Sequence, residues 1–214
     1  MGETLAGYVL DLRGNPGGLL DQAVDVADLF VRHGRLVSTH GRHPDSHQYF
    51  TARPNDIGDD RPVVVLIDSG SASAAEIVAA AIQDNRRGVV VGSLSYGKGT
   101  VQTVLRLPNR GELTLTWARF HAPSGYALAG TGVTPDVCTS RHPNPALDQV
   151  LAGLSADRNA ENRAGDPLSK AVGGPAGTGQ PAAACPTRPG GSPADLAVAR
   201  RLLSDRTLYR SAST

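Results

Sequence analysis

Five apolar residues in a row, Val63-Val64-Val65-Leu66-Ile67, constrain this chain more than any other feature. Successive side chains of a β-strand point to opposite faces, so a run with no polar member needs apolar cover on both sides. The segment Asp68 to Ser73 follows and leads into an alanine-rich helical stretch, Ala74 to Asn85. Arg86-Arg87-Gly88 ends that helix, and Val89-Val90-Val91 supplies the next short strand. Leu5 to Leu12 reads as an earlier strand, stopped by Arg13-Gly14-Asn15-Pro16-Gly17-Gly18 and followed by a helical pattern from Leu19 to Phe30. Repeated strand, helix, strand units imply parallel strands with helices outside them. Val101 to Leu107, a turn at Pro108 to Gly111, and Leu113 to Phe120 then read as a hairpin, with alternation clearest in Thr114-Leu115-Thr116-Trp117.

Composition narrows the partners. Among 214 residues, 21 Lys plus Arg stand against 20 Asp plus Glu, a net charge of +1, and no basic run is interleaved with aromatics. Nucleic acid is therefore not an expected partner, nor is an anionic membrane surface. Only Lys98 and Lys170 among the basic residues are lysines. No stretch reaches the roughly 18 consecutive apolar residues of a bilayer-crossing helix, and the N-terminus lacks the basic segment and apolar run of a secretory signal. Eight of the nine aromatic residues lie in the first 126, whereas eight of the 15 prolines lie from Pro143 onward. Residues 1–140 are accordingly read as the packed core. Residues 141–214 are read as a short helix, a flexible Pro/Gly-rich stretch around Gly173 to Gly191, and a final helix from Pro193 to Leu208. Cys138 and Cys185 are too few for a disulfide scaffold or a structural zinc site, but they suffice for one bridge in an oxidising compartment.

Residues 31–61 hold His33, His40, His43 and His47 among Arg, Asp, Asn and Pro. Without a helical pattern to gather them on one face, they read as a solvated loop beside a short strand pair. No metal and no cofactor is expected.

Open parallel sheets place catalytic groups beyond the carboxyl ends of their strands, where loops converge and helix N-termini point amides outward. Three glycine-rich segments sit at such ends: Arg13 to Gly18, Asp68 to Ser73, and Gly92 to Thr100. Ser73 has two readings. With Glu76 it forms the capping box Ser-x-x-Glu, worth about 1 kcal/mol. Alternatively, a hydroxyl held at a helix N-terminus attacks a carbonyl while nearby amides receive the developing charge. Lys98 first suggests a phosphate loop, since Gly92-x-x-x-x-Gly97-Lys98 matches most of that motif. The match fails because Gly99 stands where a hydroxyl is needed and the residues that follow read as strand. Lys98 is instead a candidate general base. A lysine of ordinary pKa, about 10.4, is protonated at neutral pH, but desolvation in a closed pocket lowers it. One helix and one strand separate Ser73 from Lys98, which returns both to the same sheet edge and makes a Ser–Lys dyad geometrically reasonable.

Residues 8–137 resemble the S41-type C-terminal processing, or tail-specific, serine peptidases. The resemblance lies in Leu10-Asp11-Leu12-Arg13-Gly14-Asn15-Pro16-Gly17-Gly18, in Gly70-Ser71-Ala72-Ser73-Ala74-Ala75-Glu76-Ile77 with Ala80-Ala81-Ile82-Gln83-Asp84, in Gly97-Lys98-Gly99-Thr100-Val101-Gln102, and in Gly130-x-Gly132-Val133-x-Pro135-Asp136. The resemblance implies Ser73 as nucleophile, Lys98 as base, Gln102 as the side chain orienting the lysine, and an oxyanion hole of backbone amides from Ala74 and the Gly17-Gly18 turn. It implies an α/β fold with a ClpP/crotonase-like core, that is, a partly parallel sheet with outer helices and a C-terminal hairpin. It also implies protein or peptide substrates with accessible C-termini, and a periplasmic or envelope location. Family members carry a PDZ-like domain and further core strands before the first of these motifs, so the expectation is the C-terminal part of such a peptidase, truncated at the N-terminus and lacking the PDZ-like domain. An uncovered sheet edge and self-association through it would follow. The alternatives are a non-catalytic binding or assembly module of the same fold and a nucleotide-dependent enzyme.

Overall fold

Val63 to Ile67 forms a strand whose five side chains are all fully buried, and the rest of the fold is arranged to cover it. The computed structural model describes residues 5–54, 57–141, 147, 150, 151 and 185–213. In chain order these form β1 (Tyr8–Asp11), α1 (Leu20–Asp28), β2 (Arg35–His40), a 3₁₀ turn (Pro44–Ser46), β3 (Gln48–Thr51), β4 (Val63–Ile67), α2 (Ala74–Asp84), β5 (Val89–Gly92), β6 (Thr100–Arg106), β7 (Glu112–His121), β8 (Val137–Cys138), α3 (Ala194–Ser204) and α4 (Arg206–Ala212).

The strands make two four-stranded sheets, a parallel one in the order β1-β4-β5-β8 and an antiparallel one in the order β3-β2-β7-β6. On one face of the parallel sheet, Val63, Val65, Ile67 and Val90 pack against α1 and α2. On the other, Val64, Leu66, Val89 and Val91 pack against Val198, Ala199 and Leu202 of α3. Helix α2 lies between the two sheets and is buried from Ala74 to Ile82, its run of alanines letting β2 and Phe120 of β7 approach closely.

This arrangement corrects the expected ClpP/crotonase-like core. The hairpin β6–β7 is not an appendage of the parallel sheet; it joins β2 and β3 in a separate sheet, with register shifts at Arg35/Val37 and Val101/Gln102 that bend the strands. The physical cause lies in the pairing of β7 with β2, from Ser38–His121 to His40–Arg119, and in Phe120, which packs into the core around α2. β5 ends at Gly92, and the chain leaves the parallel sheet before β6 begins at Thr100.

The final helix expected from Pro193 to Leu208 is two helices. Asp205 ends α3 and caps α4, accepting the Thr207 and Leu208 amides at 3.1 and 3.0 Å. Cys138 and Cys185 are disulfide-bonded across a separation of 47 residues, tying β8 to the segment that enters α3. The expected short helix after residue 141 and most of the Gly173 to Gly191 stretch lie outside the described residues. Among the described residues, no helix is long and apolar enough to cross a membrane.

Candidate active site

The loops after β1, β4 and β5 meet at one edge of the parallel sheet, and buried polar groups fix them to each other. Asp68, fully buried, accepts the amides of Gly14, Gly70 and Ser71 through Oδ1 at 2.8, 2.9 and 3.1 Å. The Ser71 hydroxyl donates to the Leu12 carbonyl at 2.8 Å, and the Ala72 amide donates to the Asn15 carbonyl at 2.9 Å. The first two loops are thus one hydrogen-bonded unit.

Ser73 sits where this unit turns into α2, with φ 55° and ψ −116°. A non-glycine residue held there stores about 1–3 kcal/mol of backbone strain, and such turns between strand and helix raise a nucleophile above its sheet. Gly17 makes room for the turn. Its φ is +98°, and a Cβ there would lie 2.7 Å from the Ala72 carbonyl and 2.8 Å from both the Ala74 nitrogen and the Ser73 Cβ. The capping-box pair is also present, with the Ser73 amide donating to Glu76 Oε2 at 2.8 Å.

Glu76 does more than the sequence suggested. It is fully buried, and its carboxylate accepts four donors: the Ser73 amide, the Lys98 amide at 2.9 Å, the Gly97 amide at 2.6 Å and the Ser95 hydroxyl. Ser73 and Lys98 donate to the same oxygen, Oε2, so their backbones stand no further apart than two hydrogen bonds. The Ser95 hydroxyl in turn accepts the Val133 amide at 2.7 Å. Gly97, at φ +83°, lies against Gly130 and Gly132, and the Gly130 amide donates to the Gly97 carbonyl at 2.9 Å. The glycines of the third and fourth motifs therefore pack backbone on backbone to floor the Lys98 loop.

The side chains expected to react are gathered but not joined. Lys98 is exposed, and no hydrogen bond links it to Ser73 among the described residues. Gln102 lies on β6 beside the Val101/Gln102 bulge, also exposed, with no hydrogen bond to Lys98 among the described residues. Of the expected oxyanion donors, the Gly17 amide is turned away to Asn15 Oδ1 at 2.9 Å. The amides of Gly18 and Ala74 make no hydrogen bond among the described residues. Leu19 and Tyr96, the large apolar residues beside Gly18 and Gly97, are 73% and 69% exposed and border the site with apolar surface.

His40, His43 and His47 fall elsewhere, at the antiparallel sheet, with His121 beside them. The His40 ring lies 5.2 Å from that of His47 and 4.6 Å from that of His121. Burial pushes the His40 imidazole below its ordinary pKa, and the neighbouring His121, His47 and Arg35 add to the effect. Among the described residues no group of three or more His, Cys, Asp or Glu is placed to hold a metal ion.

The fold matches those of solved peptidases. The solved photosystem II D1 C-terminal processing protease superposes with a TM-score of 0.60 at 37% identity, covering 68% of this chain and 38% of that one. A putative S41 protease from Bacteroides fragilis shares the fold with a TM-score of 0.52 at 22% identity, covering 60% of this chain and 36% of that one. These matches define the class as the S41 peptidase fold in place of the ClpP/crotonase fold expected. Residues 1–139 match the profile of peptidase family S41, and the chain belongs to that family. The carboxy-terminal-processing protease of Bartonella bacilliformis is 52% identical over 135 residues, 63% of this chain and 31% of that protein. The chloroplastic C-terminal processing peptidase of Tetradesmus obliquus is 39% identical over 157 residues, 72% of this chain and 33% of that protein. The chain thus spans about a third of the length of these relatives.

Proposed function

We propose that the protein is a serine endopeptidase that cuts polypeptides near their C-termini, with Ser73 as nucleophile and Lys98 as general base. The observation carrying this reading is the Glu76 carboxylate, which holds the backbones of Ser73 and Lys98 on one oxygen. In the proposed reaction the Lys98 amine takes the Ser73 proton as Oγ adds to the scissile carbonyl. The amides of Ala74 and Gly18 receive the oxyanion, with Gly17 as their close-packed neighbour, and Lys98 returns the proton to the leaving amine. Water then releases the acyl group by the same route. Gln102 orients the lysine after its side chain turns back along β6.

Leu19 and Tyr96 favour apolar residues at the substrate end. The Cys138–Cys185 bridge favours an oxidising compartment, consistent with the periplasm or cell envelope. The test is fluorophosphonate labelling and peptide hydrolysis by wild type, Ser73→Ala, Lys98→Ala, Lys98→Arg and Gln102→Ala, with circular dichroism to confirm folding. Ser73→Ala abolishes labelling, and both Lys98 variants lose turnover because a guanidinium stays protonated and a methyl group cannot accept a proton. Gln102→Ala loses less, since nucleophile and base remain. A folded Lys98→Arg variant with wild-type turnover would overturn the dyad. A folded wild type that neither labels nor cleaves would leave a binding or assembly module.

A further inference from the structure

We propose that Asp195, the second residue of α3, is a positioning residue for the Arg13–Gly18 loop and through it for the oxyanion amides, an inference that rests on the peptidase reading above. The helix reaches the site from the opposite face of the parallel sheet. Asp195 is fully buried, and its carboxylate accepts the Thr139 hydroxyl at 2.5 Å, the Ser192 amide at 2.8 Å and Arg13 Nη1 at 3.2 Å. Arg13 is held from its other side by a two-point contact with Asp11, Nε to Oδ1 at 2.8 Å and Nη2 to Oδ2 at 2.6 Å. The guanidinium is therefore clamped between a half-exposed carboxylate on β1 and a buried one on α3.

The backbone agrees with a built contact. Gly191 takes φ +69° and lies against Arg13, where a Cβ would come 2.5 Å from Asp195 Oδ2 and 2.7 Å from Arg13 Cδ. The whole segment entering α3 crosses the carboxyl ends of the parallel strands. Cys185 is bonded to Cys138, the Arg188 amide donates to the Ser93 hydroxyl at 3.2 Å, and the Ser69 amide reaches the Arg188 carbonyl at 3.5 Å. Arg13 begins the loop whose Gly17 lies against Ser73. A buried carboxylate that loses its cation keeps an uncompensated charge, so Asp195 resists displacement of Arg13. Fixing Arg13 fixes the start of the loop that carries Gly18.

The experiment compares Asp195→Asn with Val198→Ala in the full chain. Val198 packs on the opposite face of the sheet and serves as the control for loosening α3 without touching Arg13. For Asp195→Asn the expected result is a kcat and a fluorophosphonate acylation rate lower by about 10- to 100-fold, with KM nearly unchanged. Exchange of the hydrogen-bonded Gly14 and Gly17 amides should be faster than in Val198→Ala. Combining Asp195→Asn with Arg13→Lys should lose less than the product of the two single losses, since the Arg13–Asp195 contact is common to both. Asp195→Asn with the kcat and loop exchange of Val198→Ala would overturn the proposal. Amide exchange is read without turnover, so it decides the positioning claim even if wild type fails to acylate, an outcome that would sink the peptidase reading alone.

Discussion

The parallel and antiparallel sheets solve the same packing problem differently. The strands β4 and β5 are fully buried on both faces, between α1 and α2 on one side and α3 on the other. The antiparallel sheet covers α2 with Leu36, Val37 and Phe120, while Leu105, Leu113, Leu115 and Trp117 of its hairpin stay between 40% and 46% exposed. One sheet is a core and the other is a cover. The proposed chemistry falls on the line between them, because Ser73 opens α2 at the end of a parallel strand and Lys98 lies in the loop that carries the chain into the other sheet. Ser73 thus opens a buried helix and Lys98 leads into the half-exposed sheet, with Glu76 holding the backbones of both.

The contrast predicts unequal mutational costs. Leu66→Ala removes a fully buried side chain facing α3 and should destabilise by about 2–5 kcal/mol, read as a lowered urea midpoint with unchanged slope. A loss near zero would mean that α3 does not cover this face in solution. A smaller effect is expected at the antiparallel sheet. His40 is held below its ordinary value of 6.5 by burial and by His121, His47 and Arg35. The folded chain therefore binds this proton more weakly than the unfolded chain. The stabilisation is complete above about pH 6.5 and is lost as pH falls toward the lower folded value, with a slope of at most about 1.4 kcal/mol per pH unit. Melting temperatures from pH 7 to pH 5 should fall, and His40→Phe should flatten part of that fall; an unchanged slope would remove His40 from the account. The smallest effect belongs to Leu115→Ala. At 42% exposed it should change stability by no more than about 0.5 kcal/mol, and a cost like that of Leu66→Ala would show that the hairpin face is covered in solution.

Local periodicity made much of this legible. The valine run, the alanine helix and the hairpin all lie within a residue or two of where the sequence put them, because each is a short pattern read from neighbours. Strand β2 was not legible as core. Its Arg-Leu-Val-Ser-Thr-His sequence looks polar, yet Ser38 and Thr39 are 1% and 3% exposed, with the Thr39 hydroxyl satisfied by the Ser46 carbonyl at 2.7 Å. Nor could spacing reveal that β7 pairs with β2 rather than with the parallel sheet, since that choice is made between segments distant in sequence. In the candidate site, Ser73, Lys98 and the glycines stood out by motif. The strain at Ser73, the turn of the Gly17 amide toward Asn15, and the contact of Asp195 with Arg13, 182 residues away, are tertiary facts with no local signature. The C-terminal segment, read from composition as a short helix, a flexible stretch and a final helix, supplies that last contact.

Glu76 has a consequence for how the site can move. Its two oxygens serve as the first-turn acceptor of α2 and as the anchor of the lysine loop at once. The loop from Ser95 to Lys98 therefore cannot swing outward as a free lid. Releasing it strips the carboxylate of three donors in a buried place, and the Ser73 amide alone cannot compensate. Opening the loop and fraying the start of α2 become a single event, so any effector that displaces Lys98 also disturbs the turn that presents Ser73. The backbones of Ser73 and Lys98 are thereby held together or released together.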